Sequence, residues 1–368
     1  MNILFYTPFV ERSRDTETLV FAFKNQGHKV YFITQAKEGA IVDFLKEKSI
    51  PTFSFFVRAP GKYLKVVLHI IKLVLFCRGN KIDIVYSHLE SANLVAALAQ
   101  YFIKSKVIVC RHHIDEIHLL EGQKTVSYKL IYRLAKKIIV VSARAKDFMV
   151  KNEGIRADKI IKINLAYDFS LYGTVNKTEV DIIKNNYKAD LLITTACRLL
   201  KDKRPEISVE LIEELVKKGI NAKLIILGRG ELYEELKKLI QDKKLENHCY
   251  LIGYQRNVLD YLSAADVLFH PSILDSSSVI IKEAGLVYKP VIACKGVGDV
   301  EEYIVNYENG ILVDKFNSVS EAVEFLSKFS AGKEKYTYMG ENLHKSIISL
   351  FSVENILPLY DSINSKNE

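Results

Sequence analysis

Short apolar runs alternate with helix-patterned segments along the whole of this 368-residue chain, in two successive series. The first series is Ile3–Tyr6, Val30–Ile33, Ile84–Tyr86, Val107–Val109 and Ile138–Val141. The second is Leu191–Thr195, Lys223–Leu227, Cys249–Ile252, Val267–Phe269 and Val291–Ala293. Between them lie helical patterns such as Thr16–Asn25, Pro205–Lys218 and Leu232–Lys243. Pro205 stands where a first helical position belongs, and Gly219 where the helix should stop. Short, continuously apolar strands separated by helices are buried on both faces, so the expected sheets are parallel and covered by helices on each side. Two series predict an α/β chain of two doubly wound, Rossmann-like domains. The boundary falls in the polar stretch Asp168–Asp181, after the strand-like Ile160–Asn164, which gives an amino-terminal domain over 1–170 and a second domain from 171. Open α/β sheets bind ligands beyond the carboxyl ends of their strands. Two such domains facing each other would enclose a cleft.

Charge separates the two halves. The net charge of +8 divides into +12 over residues 1–180 and −4 over the remainder. A basic front half expects an anionic partner, a membrane surface rather than nucleic acid. Tyr63–Lys81 reads YLKVVLHIIKLVLFCRGNK, apolar with Lys62, Lys65, Lys72, Arg78 and Lys81 punctuating it. Either it is an ordinary packed helix or it is a basic amphipathic helix lying on anionic lipid. No uncharged apolar stretch reaches the length of a membrane span. The start Met-Asn-Ile-Leu-Phe-Tyr lacks the basic flank of a signal peptide and reads as a first strand. Five scattered cysteines form no C-x-x-C pair, so neither a disulfide framework nor a zinc site is signalled. The expected setting is the cytoplasm, peripheral on the inner face of the membrane.

The chemistry concentrates in the second half. Arg198 and Lys203 follow the strand Leu191–Thr195 in CRLLKDKRPE, ahead of a helix. Fixed cations there would stabilise a leaving diphosphate as it gains charge, or else they are solvated loop charges. Gly228-Arg229-Gly230-Glu231 follows the next strand. Its glycines either let backbone approach a ligand or make a tight turn, and the full dinucleotide fingerprint is absent. Val267-Leu268-Phe269 leads to the polar turn Asp275-Ser276-Ser277-Ser278 and a second helix carrying Glu283. N–H groups at that helix start face an anion readily, and the two carboxylates accept hydrogen bonds from hydroxyls on either side of it. Phosphate flanked by two polyols describes a nucleotide sugar. Glu283 sits among Val279, Ile280, Ile281 and Ala284, so if buried it needs partners, either ribose hydroxyls or a structural ion pair. Asp275 also reads as ordinary helix N-cap chemistry. In the first half, Arg111-His112-His113-Ile114-Asp115 follows the strand Val107–Val109. No metal-ligand spacing accompanies the two histidines, and one is expected to face a sugar hydroxyl. His88, after Ile84–Tyr86, is a second such candidate.

These residues resemble glycosyltransferase family 4, the retaining GT-B enzymes, most strongly over 191–313. The family's arginine and lysine are matched by Arg198 and Lys203, its glycine turn by Gly228 and Gly230, and its E-x7-E motif by Asp275 and Glu283 in DSSSVIIKE. GYQRNVLDYLSAADVLFHPS and KPVIACKGVGDVEEYIVNYENGILV are also similar to family segments, which places Tyr254 on the donor side. Phe351-Ser352-Val353-Glu354 resembles the start of the final helix, so 171–345 is the expected donor domain and 346–368 the helix returning to the first domain. The resemblance implies transfer of a hexose or N-acetylhexosamine from a nucleoside-diphosphate sugar (UDP or GDP) to a saccharide or lipid-linked acceptor, with retained configuration and with no metal or other cofactor. Arg198 and Lys203 would hold the diphosphate, Glu283 the ribose and Asp275 the donor sugar. Ser277, Ser278 and Val279 would offer N–H groups, with His112 and His113 nearby. Three departures stand out. Asp replaces the first motif Glu, Ser-Ser-Ser replaces Gly-Phe-Gly, and Phe9–Asp15 (FVERSRD) replaces a glycine-rich loop, where Arg12 and Arg14 are expected to substitute electrostatically. Two other readings stay open: a non-catalytic scaffold module, and a nucleotide-sugar epimerase on the same fold.

Overall fold

The computed structural model describes residues 1–37, 39–112 and 126–365. The chain divides into two compact units, Met1–Asp168 together with the segment from Phe351 onward, and Phe169–Leu350.

The first unit holds a seven-stranded sheet: β1 (Asn2–Thr7), β2 (Lys29–Thr34), β3 (Thr52–Ser54), β4 (Ile84–His88), β5 (Lys106–Arg111), β6 (Lys137–Val140) and β7 (Ile160–Lys162). Their order is β3-β2-β1-β4-β5-β6-β7, parallel throughout. Successive side chains of a strand point to opposite faces, and here both faces are apolar. Leu4, Tyr6, Ile33, Val85 and Val109 enter one buried cluster, while Ile3, Phe5, Phe32, Tyr86 and Ile108 enter another. The helices are α1 (Arg14–Asn25), α2 (Ala40–Glu47), α3 (Lys62–Gly79), α4 (Glu90–Ala99), α5 (Val126–Leu134) and α6 (Ala143–Lys151).

The second unit holds β8 (Leu191–Ala196), β9 (Ala222–Leu227), β10 (Cys249–Gly253), β11 (Val267–His270), β12 (Val291–Cys294) and β13 (Ile311–Val313), in the parallel order β10-β9-β8-β11-β12-β13. Its helices are α7 (Lys177–Asn186), α8 (Pro205–Lys217), α9 (Tyr233–Asp242), α10 (Val258–Ala264), α11 (Val279–Leu286), α12 (Ser318–Ser330) and α13 (Thr337–Phe351). The closing helix α14 (Val353–Ser365) belongs to the first unit. Val353 N–H donates to the Tyr167 carbonyl at 3.0 Å, and the Tyr360 ring lies edge-on to Phe23 and Tyr86.

Two strands escape the sequence pattern. β3 and β13 are three residues each and stand at sheet edges, too short to show a period. Helix α3 forms as the pattern requires, but only His69, Leu73 and Cys77 are buried. Leu64, Val67, Ile71 and Leu75, spaced three or four residues apart, are all exposed. Among the described residues no helix is long and apolar enough to cross a membrane.

Candidate functional site

The chemistry of the second unit gathers where its strand order reverses. β8 and β11 are neighbours, and the chain leaves them toward opposite edges of the sheet. The loops that follow start side by side at the carboxyl ends of the strands, the place where such sheets bind ligands. One loop carries Arg198 and Lys203, the other Asp275 to Ser278.

Hydrogen bonds zip these loops together. Ile273 N–H donates to the Asp202 carbonyl at 3.0 Å and the Ser272 hydroxyl to the same oxygen at 3.2 Å. Lys203 Nζ donates to the Leu274 carbonyl at 2.6 Å and to Asp275 Oδ2 at 3.0 Å, with the Asp202 carboxylate 3.4 Å away. Lys203 is only 7% exposed. It is a buried cation matched by carboxylates, as burial of charge requires, and not a solvated loop charge. Burial alone would raise the Asp275 carboxyl, but the Lys203 ammonium and His270 outweigh it and hold its pKa below the ordinary carboxylate value. Arg198 is exposed and makes no side-chain hydrogen bond or ion pair among the described residues.

Asp275 is not the helix cap that Asp-Ser-Ser allowed. Helix α11 starts at Val279, the capping position is Ser278, and no side chain caps it. Asp275 lies too far upstream and accepts from Lys203 instead. Ser278 Oγ lies 3.2 Å from Nε2 of His270, the last residue of β11, which is itself 3.8 Å from Asp275 Oδ2. Burial drives the His270 pKa down to about 4, so the ring is neutral at pH 7. Arg204, in the left-handed conformation at φ 48°, reaches the segments that follow β11 and β13. Its guanidinium donates to the carbonyls of Pro271 at 3.1 Å and Lys315 at 2.8 Å.

The glycine turn packs directly against the loop that carries Arg198. A Cβ on Gly228 would lie 1.9 Å from the Cys197 carbonyl oxygen, and one on Gly230 would lie 2.3 Å from that of Leu199. The close partner is the Arg198 loop itself, held by Leu199 N–H donating to the Arg229 carbonyl at 3.0 Å. The glycines set the position of Arg198 rather than touching open space. Tyr254, after β10, is 62% exposed, with the Arg229 guanidinium 5.4 Å from its ring centroid.

Glu283 is 8% exposed on α11. Its neighbour Lys282, which sequence reasoning passed over, is fully buried. Lys282 Nζ lies 2.9 and 3.1 Å from the two carboxylate oxygens of Asp299, 2.9 Å from Ser277 Oγ and 3.2 Å from Tyr303 Oη. Burial pulls the Lys282 pKa down and pushes that of Asp299 up, each resisted by the other's charge. The Ser277 hydroxyl also donates to Asp299, so it is committed to this pair. A lysine beside Glu283 among the apolar residues of VIIKEAG was the available signal. Gly298 completes the arrangement, since a Cβ there would lie 2.6 Å from the Ser276 carbonyl oxygen.

In the first unit several expectations change. Arg12 pairs with Glu17 and covers the Phe44 ring at 3.4 Å from its centroid, so its charge is occupied beside α1. Arg14 is exposed at the first position of that helix. His88 does not face open space. It is 3% exposed, stacked between Phe5 and His112, with Nδ1 2.7 Å from His112 Nε2. Every residue of β4 is buried, and burial drives His88 well below its ordinary pKa. His112 is half-buried. His113 and Asp115 lie outside the described residues.

Two family models match the chain: "Glycosyltransferase Family 4" over residues 13–171 and "Glycosyl transferases group 1" over residues 176–346. The N-acetyl-alpha-D-glucosaminyl L-malate synthase of Bacillus anthracis is 22% identical over 92% of this chain and 89% of its own length. The UDP-Gal:alpha-D-GlcNAc-diphosphoundecaprenol alpha-1,3-galactosyltransferase of Escherichia coli is 22% identical over 86% and 84%. Among solved structures, Anabaena HepE in complex with UDP superposes with a TM-score of 0.86 at 20% identity, covering 100% of both chains. Fold, strand-order reversal and sequence models agree: the chain belongs to glycosyltransferase family 4 and is a glycosyltransferase of the GT-B type.

Proposed function

We propose that this enzyme moves a hexose or N-acetylhexosamine from a nucleoside-diphosphate sugar to a saccharide or lipid-linked acceptor, with retained configuration, in polysaccharide or glycolipid synthesis. The observation that carries the reading is the pairing of buried Lys203 with half-buried Asp275 at the strand-order reversal of the second unit. A diphosphate arriving there competes with Asp202 for the ammonium and meets exposed Arg198. Asp275 and Glu283 offer carboxylate oxygens to the sugar and ribose hydroxyls, Tyr254 a face for the base, and Gly228 and Gly230 hold the Arg198 loop. As the bond from C1 to the diphosphate oxygen breaks, charge grows on the leaving group, and Arg198 and Lys203 stabilise it more than the ground state. The bond from the acceptor oxygen to C1 forms on the same face, and the departing phosphate oxygen takes the acceptor's proton. In this scheme the two cations do the neutralising that a metal does elsewhere. UDP is the favoured nucleotide, because structural neighbours hold UDP and UDP-glucose; a lipid-linked acceptor is favoured by relatives named for diphosphoundecaprenol substrates.

The second part of the proposal is a peripheral membrane setting. The exposed Leu64, Val67, Ile71 and Leu75 of α3, with exposed Lys65 and Lys72 on the same helix, fit the interfacial pattern of an apolar face bordered by cations. The test is a nucleotide-sugar panel assayed for diphosphate release with EDTA present, and co-sedimentation with phosphatidylglycerol vesicles. Release from a UDP-sugar and sedimentation with anionic but not neutral vesicles are expected. Binding of no nucleotide would favour the scaffold reading, and UDP release with a changed free sugar would favour the epimerase.

A further inference from the structure

The first unit has its own strand-order reversal, between β1 and β4, and a cavity of about 540 Å³ lies beside it. Its walls come from Pro8 after β1, Gln35 after β2, and the amino-terminal halves of α3 and α4, with Ile131 of α5. One wall is cationic, with Lys62 and Lys65. Another is apolar, with Val66, Leu94, Val95 and Ile131.

A polar chain runs through the lining and ends unsatisfied. The Ser91 hydroxyl donates to Gln35 Oε1 at 2.8 Å, Gln35 Nε2 donates to Tyr6 Oη at 2.8 Å, and Tyr6 Oη lies 3.5 Å from His69 Nδ1. Gln35 Nε2 also lies 3.4 Å from the Ser91 carbonyl, a group that only accepts, which fixes the orientation of the amide. Tyr6 receives from Gln35, and the arrangement that also uses the phenol hydrogen gives it to His69 Nδ1. That leaves the His69 proton on Nε2. His69 is 2% exposed, and its Nε2 has no hydrogen-bond partner among the described residues. Burial, with Lys65 and Lys72 nearby, holds its pKa down to about 4, so the ring is neutral. A buried donor left unpaired is costly, and here it lies in the lining of a cavity with two ammonium groups.

We propose that this cavity binds a phosphate or diphosphate ester of an apolar chain, the reducing-end carrier of a lipid-linked acceptor, with Lys62, Lys65 and His69 Nε2–H on the phosphate and Val66, Leu94 and Ile131 on the first carbons of the chain. The choice of a lipid-linked over a free saccharide acceptor rests on the glycosyltransferase reading above. Glu90 is the carboxylate of the lining, and with Gln35 and Ser91 it sits on the side suited to hydroxyls.

The probe is farnesyl diphosphate, titrated calorimetrically into the whole protein with UDP present at saturation, beside inorganic pyrophosphate and farnesol. Expected are one-to-one binding of farnesyl diphosphate that UDP does not displace, at least tenfold weaker binding of pyrophosphate and of farnesol, and at least tenfold weaker farnesyl diphosphate binding by the Lys62→Ala, Lys65→Ala double variant. Both lysines are exposed, so the variant should melt like wild type. The proposal is overturned if the double variant binds as tightly as wild type, or if pyrophosphate matches farnesyl diphosphate, which would mark a free-phosphate site. Displacement by UDP would also overturn it, because the probe would then occupy the donor crevice. UDP titrated alone separates the two ideas. UDP binding without farnesyl diphosphate binding sinks only this proposal, and the reverse sinks only the donor assignment.

Discussion

The Lys203 ammonium lies 3.0 Å from Asp275 Oδ2, although the two residues are 72 positions apart and stand on loops after different strands. The pair is a consequence of sheet topology. Loops that leave neighbouring parallel strands for opposite edges start side by side, so a lysine on one and a carboxylate on the other meet. Lys203→Ala should therefore do two things. It removes a cation from the leaving group, with a fall in kcat of about 10² to 10³-fold, the cost of one preorganised donor elsewhere. It also leaves the half-buried Asp275 carboxylate without its cation. Measuring diphosphate release together with the melting midpoint separates the two effects, and Lys203→Met/Asp275→Asn should recover the midpoint but not the rate. Wild-type turnover in Lys203→Ala would exclude it from the reaction.

The Lys282–Asp299 pair is fully buried on both sides. Breaking one partner of such a pair costs about 3–5 kcal/mol, whereas replacing both with apolar groups of similar volume is often neutral. Lys282→Met and Asp299→Leu are expected to destabilise strongly alone and far less together in a urea double-mutant cycle. The same cycle read by UDP-sugar KM tests what the pair does for the 275–278 turn. Simple additivity of the two stability losses would show that the residues are not coupled.

Gly228 has φ +141°, and any side chain there would meet the Cys197 carbonyl. Gly228→Ala should push the Arg198 loop away from the Gly228–Gly230 turn, weakening UDP affinity about tenfold or more while other backbone remains folded. Titration of the variant with UDP checks this; unchanged affinity would detach Arg198 from the nucleotide.

Acid should weaken the fold through its buried neutral histidines. His69 and His270 are buried neutral with pKa values of about 4, against about 6.5 when unfolded. Their folded values are depressed, so between pH 6.5 and 4 the unfolded chain binds more protons. Stability is whole above pH 6.5, falls as pH drops, and levels below 4. Each histidine should cost about 2 kcal/mol at pH 5 relative to pH 7. His88 adds in the same direction. Urea midpoints of wild type and His270→Gln at the two pH values measure the slope, and equal slopes would remove His270 from the account.

Much of the architecture was legible in the order of residues. Strand positions such as Leu191–Ala196 and Val267–His270 follow from continuous apolar runs that a parallel sheet buries on both faces. Pro205 at a helix start and Gly219 at its end mark α8 without any tertiary contact. The candidate residues Arg198, Lys203 and Asp275 stood out by charge in loops after strands, and Glu283 as a carboxylate in an apolar helix. What local pattern missed was reciprocity. Lys282 looked like one more lysine until Asp299, 17 residues on, met it in the interior. Ser277 was read only for its backbone N–H, and His270, just past the strand-like Val267–Phe269, was not read at all.

The chain by itself determined the alternation of strand and helix, the α/β class and the identity of the charged groups near strand ends, because periodicity and capping act over a few neighbours. Tertiary structure alone decided which charges are paired, which histidines are neutral and which glycines are compulsory. Those outcomes depend on burial and on atoms brought within 4 Å by strand order, and strand order is a property of the whole sheet that no local window of sequence contains.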